Sequence, residues 1–132
     1  MKYFTLFLRI LSAAILLQTL FFKFSAAPES VWIFTQLHAE PFGRWFAGAS
    51  ELVAAALLLI PATQGLGALA SVGIMTGAIL SHLFVLGINV QEDGGLLFGL
   101  ALTVLLSGLI LTWLNRQQLI QLLKSIQTAI FK

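Results

Sequence analysis

The sequence predicts an all-α membrane protein that crosses the bilayer as a four-helix transmembrane bundle. Hydrophobic residues make up 59% of the 132 residues and charged residues only 9%, whereas soluble domains carry about 25% charged residues. Four stretches are mostly apolar over the roughly 20 residues that a membrane crossing needs: residues 4–24, 42–60, 66–88 and 95–114. We therefore predict one transmembrane domain, residues 1–114, followed by a tail at 115–132.

The first span lies at the N-terminus and shares features with a secretory signal. Lys2 and Arg9 accompany an apolar run that ends in Ser-Ala-Ala at residues 25–27. The apolar run covers residues 3–24, which is longer than the roughly 7–15 residues of a signal core. We therefore predict that this segment is an uncleaved membrane span.

The connection between the first two spans, residues 25–42, is too polar and too long for a turn. Pro28 suits the first position of a helix, and Glu29 suits its first turn. Trp32 and Phe34 can then form the apolar face of a short helix. We predict a short interfacial helix that lies on the membrane surface in this loop.

The remaining connections and the tail also have readable patterns. Residues 61–65 are a tight connection, so we expect the second and third spans to be antiparallel neighbours. Asp93 is suited to cap the fourth span. Apolar residues recur in the tail at helical spacing: Leu119, Leu123, Ile126 and Ile130. We predict an amphipathic helix on the cytoplasmic membrane surface, with a partner-binding or oligomer helix as the alternative.

The orientation follows from the distribution of lysine and arginine, because cytoplasmic loops carry an excess of both. With both termini in the cytoplasm, the inner side holds Lys2, Arg9, Arg116, Lys124 and Lys132. The outer side then holds only Lys23 and Arg44. Since the basic residues serve as topology signals, the net charge of +2 does not predict binding to nucleic acid.

Polar and small residues recur on one face of each span at helical steps of three and four. A polar stripe that faced lipid would be penalised, so we expect these faces to point into the bundle. They are Arg9, Ser12, Thr19 and Lys23 on the first span, Arg44, Gly48 and Glu51 on the second, and Ser71, Met75, Ala78 and His82 on the third. Gly73, Gly77 and Ser81 form another face, whose spacing predicts a tight helix crossing.

Three ionisable side chains converge in depth near the outer surface. At about 1.5 Å per residue, Glu51 lies roughly 12 Å and His82 roughly 9 Å below that surface, while Lys23 lies at the outer end of its span. Arg9 lies near the inner surface, where we expect it to extend towards the cytoplasm instead of pairing with Glu51.

An ionised carboxylate in the membrane is costly and usually has a partner or a function. We predict a ligand-binding or proton-relay site at Lys23, Glu51 and His82, with a purely structural ion pair as the alternative. Secondary polar contacts are predicted for Arg9, Thr19, Arg44 and Ser71.

Several kinds of chemistry lack the residues that they need. The chain has no cysteine, so disulfides and thiolate metal sites are excluded. His82 and Glu51 are too few ligands for a structural zinc site, and we predict no metal. The sequence contains no phosphate-binding loop, nucleophile motif or dinucleotide fingerprint, so no catalytic residue is assigned.

Four segments, in order, carry a family resemblance over roughly residues 8–112: LRILSAAILLQTLFFKFS, GRWFAGASELVAAALLLIPAT, GALASVGIMTGAILSHLFVLG and QEDGGLLFGLALTVLLSG. Together they resemble the DoxX family of small four-helix bacterial membrane proteins. The family takes its name from a subunit associated with a thiosulfate:quinone oxidoreductase, and similar proteins are linked to redox-stress complexes. The resemblance therefore implies a redox-associated, multi-pass protein of the bacterial cytoplasmic membrane. Lys23, Glu51 and His82 match the polar membrane residues of that family.

The leading hypothesis is an accessory or redox-associated membrane subunit whose outer-leaflet pocket binds a quinone-like or other lipidic molecule. Glu51 and His82 would contact the polar head, and the interfacial helix would cap the pocket. Beside the lipid bilayer, the expected partners are a membrane or redox protein or a second copy of the chain. Because cysteine is absent, redox chemistry would need an external cofactor or partner. The alternatives are a small proton-coupled transporter and a purely structural assembly subunit.

Overall fold

The structure is a computed structural model that describes residues 2–131, and the regular secondary structure within them is entirely helical, without a strand. Four of its helices are long and apolar enough to cross a membrane, so the chain is a multi-pass membrane protein. In chain order the helices are α1 (Lys2–Phe24), α2 (Pro28–Gln36), α3 (Phe42–Leu59), α4 (Gln64–Ser81), α5 (Leu96–Leu114) and α6 (Arg116–Ile130).

The ends of α4 differ from those of a simple span. A 3₁₀ turn at Pro61–Thr63 precedes the helix, and a π-helical turn at His82–Leu86 continues it. Proline disfavours a helical conformation in the residue before it, and Ile60 accordingly adopts an extended conformation where α3 ends. Gly87 has a φ of +79° where the π turn ends, a conformation that glycine adopts without strain.

The four spanning helices close into a ring. α1 packs on α3, α3 packs on α4, α4 packs on α5, and α5 returns to α1. The predicted contact between the second and third spans is thus confirmed. The core between the helices contains fully buried side chains, among them Leu16, Leu58, Val104 and Leu111. Many large apolar side chains are exposed on the outside of the ring, as expected of a surface that contacts lipid.

The two ends of the bundle are packed differently. We call them the α6 end, which holds the α3–α4 connection, and the α2 end, which holds α2 and residues 87–95. At the α6 end a Cβ on Gly67 would lie 2.5 Å from the backbone nitrogen of Leu58, so α3 and α4 touch there. Gly108 similarly lies against Val72 of α4, where a Cβ would be 3.0 Å from a methyl carbon.

The tight crossing predicted at Gly73 and Gly77 is wrong. A Cβ built on either glycine has no heavy atom within 4 Å, and both glycines line a cavity at the α2 end. The helices cross closely at Gly67 and Gly108 instead. Gly73, Gly77 and Ser81 do share one face of α4, but spacing alone does not distinguish a helix contact from the wall of a cavity.

The predicted interfacial and tail helices both exist. α2 begins at Pro28, the first helical position, and lies across the end of the bundle near α1, α3 and the π turn. α6 is attached by its first turn, where the side-chain amide of Gln118 donates to the carbonyl oxygen of Pro61 at 3.0 Å and accepts from the backbone N–H of Gly65 at 2.7 Å. Residues 121–131 are exposed.

Candidate functional site

A cavity of about 750 Å³ occupies the α2 end of the bundle. We call it the central cavity. All four spanning helices line it, and α2 covers it with Ser30, Ile33 and Phe34. Most of its wall is apolar, including Leu16 from α1 and Met75 from α4. α2 therefore lies over the cavity, at the place predicted for a cap.

One wall of the central cavity carries an ion pair between α1 and α3. The Nζ atom of Lys23 lies 3.1 Å from Oε1 of Glu51. The other carboxylate oxygen, Oε2, lies 3.1 Å from the hydroxyl oxygen of Thr19, which also lies 2.9 Å from the carbonyl oxygen of Leu16. A hydroxyl has a single hydrogen to donate, so Thr19 can serve only one of these two acceptors at a time.

The ion pair is deeply buried on the Glu51 side and partly accessible on the Lys23 side. The side chain of Glu51 is 5% exposed and that of Lys23 is 16% exposed. An ammonium group has three N–H donors, and within residues 2–131 only Glu51 accepts from Lys23. Lys23 therefore has donors left for a ligand in the central cavity.

His82 lines the central cavity on α4 at the start of the π turn. Its Nδ1 atom lies 2.9 Å from the carbonyl oxygen of Gly87. A carbonyl can only accept, so Nδ1 carries the hydrogen, and Nε2 of the neutral ring has a free lone pair. The ring also packs edge to face on Phe98, with the centroids 5.5 Å apart.

The structure brings the three predicted residues to one cavity but joins only two of them. Lys23 and Glu51 form the ion pair, and His82 lines the same cavity. Among residues 2–131, no direct hydrogen bond or ion pair links His82 to either of them. A proton could pass between Glu51 and His82 only through water or a ligand.

The secondary polar residues lie at different places. Thr19 lines the central cavity, as described above. Arg44 contacts both Glu40 oxygens, with its NH2 nitrogen 2.8 Å from Oε1 and its Nε 3.1 Å from Oε2, and also donates to the carbonyl oxygen of Lys23. Ser71 is fully buried and donates to the carbonyl oxygen of Gly67 at 2.8 Å. Arg44 therefore joins α3 to the end of α1, whereas Ser71 is bonded within α4, and neither residue lines the cavity.

Arg9 does not extend towards the cytoplasm, so that expectation is wrong. The residue is only 8% exposed. Its Nε donates to the carbonyl oxygen of Leu58 at 2.7 Å and its NH2 group to that of Leu59 at 3.0 Å. The last carbonyls of a helix have no partner within the helix, and a fixed guanidinium fork satisfies two of them without leaving the bundle.

Two carboxylates that lacked a site assignment in the sequence also line the central cavity, Glu29 of α2 and Asp93 of the α4–α5 connection. Asp93 accepts at Oδ1 from Val90 and Gly95, at 3.0 and 2.8 Å, and at Oδ2 from Leu97, at 3.1 Å. The N-cap position is Gly95, so the prediction of Asp93 as the N-cap is displaced by two residues, although its carboxylate still caps an N–H of α5.

Burial raises the pKa of Asp93, but the hydrogen bonds from the backbone N–H groups of Leu97, Gly95 and Val90, together with the attraction to His82 whenever that ring is protonated, outweigh that effect. The pKa of Asp93 is therefore below its ordinary value. The carboxylate therefore stays ionised at neutral pH in the lining of the cavity, which it shares with His82. The sequence signal was Asp93-Gly94-Gly95, which indicates a turn, but a turn does not reveal that the carboxylate also faces a cavity.

Within residues 2–131, no group of three or more histidine, aspartate, glutamate or cysteine side chains is placed to hold a metal ion. The central cavity instead combines an apolar wall with one lysine, three carboxylates and one histidine at its polar end. That combination suits an amphiphilic molecule with a hydrogen-bonding head.

No protein-family model, curated protein or solved structure matches the chain.

Proposed function

We propose that the protein is a DoxX-like accessory or redox-associated subunit of the bacterial cytoplasmic membrane, and that its central cavity binds a quinone-like or other lipidic molecule. The observation that carries the proposal is the Lys23–Glu51 pair, 3.1 Å long, in the wall of an otherwise mainly apolar cavity of about 750 Å³. Ligand sites of this size are typically apolar with a few convergent polar groups.

The hydrogen-bonding groups favour a head that carries oxygen acceptors. Lys23 has N–H donors that the protein leaves free, and a carbonyl oxygen of a quinone or an ester would accept from one of them. Nε2 of neutral His82 can accept from a hydroxyl group, such as that of a reduced quinone. Glu51 and His82 on the same cavity can thereby hold or release the protons that quinone reduction and oxidation require.

The distribution of charge supports an orientation with both termini in the cytoplasm. Lys2, Arg9 and Arg116 lie at the α6 end of the bundle, and Lys124 follows in α6. An excess of basic residues marks the cytoplasmic side. The α2 end, with the central cavity, then faces the outer leaflet, and electrons would come from a partner protein because the chain has no cysteine of its own.

The proposal is tested by titrating the full chain, in lipid nanodiscs, with a benzoquinone that carries a decyl chain. The quenching of tryptophan fluorescence reports binding. Replacing the cavity lysine, Lys23→Met, is expected to raise Kd about tenfold, because one hydrogen bond to a charged donor is lost. Glu51→Gln is expected to change both Kd and its dependence on pH.

The matched control is Glu92→Gln, which changes an exposed carboxylate outside the cavity lining. The control is expected to bind as the wild type does. Unchanged Kd and unchanged pH dependence in both cavity variants would contradict the proposal, and so would a wild type that does not bind the quinone at all.

A further inference from the structure

A second, more open recess of about 410 Å³ lies between α3 and α4 on the outside of the bundle. We call it the side recess. It is lined by Phe46, Ala49, Ser50, Val53, Ala70 and Ile74. Five of these six side chains are apolar, and the sixth is a small serine, so the side recess offers contact to hydrocarbon and little to a charged group.

The side recess adjoins the central cavity. Phe46, Ser50 and Ile74 line both spaces, so a single row of side chains separates them. Phe46 is 75% exposed, which means that its ring is not held by packing against the bundle. Next to this row, Gly73 and Gly77 contribute no side chain, and a Cβ on either would meet nothing within 4 Å.

The depth of the side recess restricts what can occupy it. Ala49 and Val53 lie in the middle of α3, and Ala70 lies near the middle of α4, at the level of the hydrocarbon core. A polypeptide segment without regular secondary structure is excluded there, because lipid offers no hydrogen-bond partners for its backbone N–H and C=O groups. An α-helix is about 10–12 Å across with its side chains, which is too wide to enter a recess that only six residues line. A neighbouring helix would therefore cover the side recess and leave it empty. A flexible alkyl or polyprenyl chain fits both conditions.

We propose that the side recess holds the alkyl or polyprenyl tail of a ligand whose polar head lies in the central cavity, an inference that rests on the proposed function. The ligand class is thereby narrowed from any amphiphile with a hydrogen-bonding head to an amphiphile with a long chain. Such a molecule enters sideways from the bilayer between α3 and α4. Its head reaches the Lys23–Glu51 pair without crossing the aqueous face that α2 covers.

The proposal is tested with two benzoquinones that share one head group, one carrying a methyl group and the other a decyl chain. Both are titrated into the full chain in nanodiscs. Ala70→Phe fills the side recess, and Val53→Phe is a second filling variant at a side chain that is 57% exposed and so tolerates a larger residue. Ala14→Phe is the matched control, since Ala14 is exposed on α1 and lines neither space.

The filling variants are expected to raise Kd for the decyl quinone about tenfold, because contact with several methylene groups is lost. Kd for the methyl quinone is expected to stay within about twofold, and the control variant is expected to change neither value. Comparing variants for each quinone separately removes the general preference of the longer chain for the bilayer. If the filling variants leave the ratio of the two Kd values unchanged, the tail site is overturned while the head site stands.

If the wild type binds neither quinone, the proposed function fails, and a different probe decides the tail site. A fatty alcohol with a photoactivatable diazirine near the end of its chain is added to the nanodiscs, and labelled peptides are counted by mass spectrometry. Stronger labelling around Val53 and Ala70 than around the lipid-facing Leu106 of α5, lost in Ala70→Phe, supports a tail site. Equal labelling at both places overturns it.

Discussion

The α6 end and the α2 end of the bundle use the same residue types for opposite purposes. At the α6 end, Gly67 brings α4 against the backbone of α3, where a Cβ would lie 2.5 Å from the nitrogen of Leu58. At the α2 end, Gly73 and Gly77 lie on the same helix and face empty space within 4 Å. At the α6 end a glycine lets two helices touch, whereas at the α2 end two glycines leave space for the central cavity.

The charged residues follow the same division. Arg9, at the α6 end, donates from two of its nitrogens to the carbonyl oxygens of Leu58 and Leu59 and does not line the central cavity. Lys23, at the α2 end, spends one donor on Glu51 and keeps the others towards the central cavity. The comparison teaches that a buried charge bonded to a neighbouring helix away from any cavity stabilises the fold, whereas one that lines a cavity and has donors available there marks a site that can bind.

The largest expected effect comes from adding the same side chain to a glycine at each end. Gly67→Leu forces a side chain into the backbone of α3 and is expected to cost more than about 3 kcal/mol of stability, at the upper end of overpacking effects. In Gly77→Leu the new side chain has room, because it occupies part of the central cavity. The free energy of unfolding of this variant is expected to lie within about 1 kcal/mol of the wild-type value. Thermal unfolding in detergent measures the stability of both variants. Equal losses of stability would contradict the claim that the α6 end is tightly packed and the α2 end is open.

A smaller loss is expected when the guanidinium at the α6 end is removed. Arg9→Met keeps the apolar stem but leaves two carbonyl oxygens at the end of α3 without their partner. Hydrogen bonds to charged groups contribute about 1.5–3 kcal/mol each, and partial rearrangement reduces the sum, so we expect about 2–3 kcal/mol. Unfolding in a titration with sodium dodecyl sulfate gives the free energy. Arg9→Lys, which keeps the charge but cannot contact both oxygens as a planar fork, is expected to lie between Arg9→Met and the wild type.

The smallest effect is expected at Asp93, in the lining of the central cavity. Because the pKa of Asp93 is lower in the folded protein than its ordinary value of 3.8, its ionised form stabilises the fold above that pH. The contribution is lost as the pH falls through the lower folded value. Asp93→Ala is expected to cost about 1 kcal/mol at pH 7, as the loss of a capping side chain does, and to cost less below pH 3.8. A difference in unfolding temperature that stays constant from pH 7 to pH 3 would contradict the assigned role.

Composition and periodicity determined the all-α fold, the four spans, the surface helix α2 and the tail helix α6. They also placed Lys23 beside Glu51, because rise per residue converts position in a span into depth and depth restricts which charges can meet. These features depend either on local sequence or on the depth of a residue in the membrane, and that depth follows from the position of the residue in its span.

Only the tertiary structure decided which neighbours each inward face meets. It placed Arg9 on the carbonyl oxygens of α3 instead of at the membrane surface, tied His82 to Gly87, and brought Asp93 to the cavity. It also separated Gly67, which contacts a helix, from Gly73 and Gly77, which line a space. The physical reason is that a sequence pattern specifies the direction of a side chain on its own helix, while the distance to the next helix depends on how all four pack together.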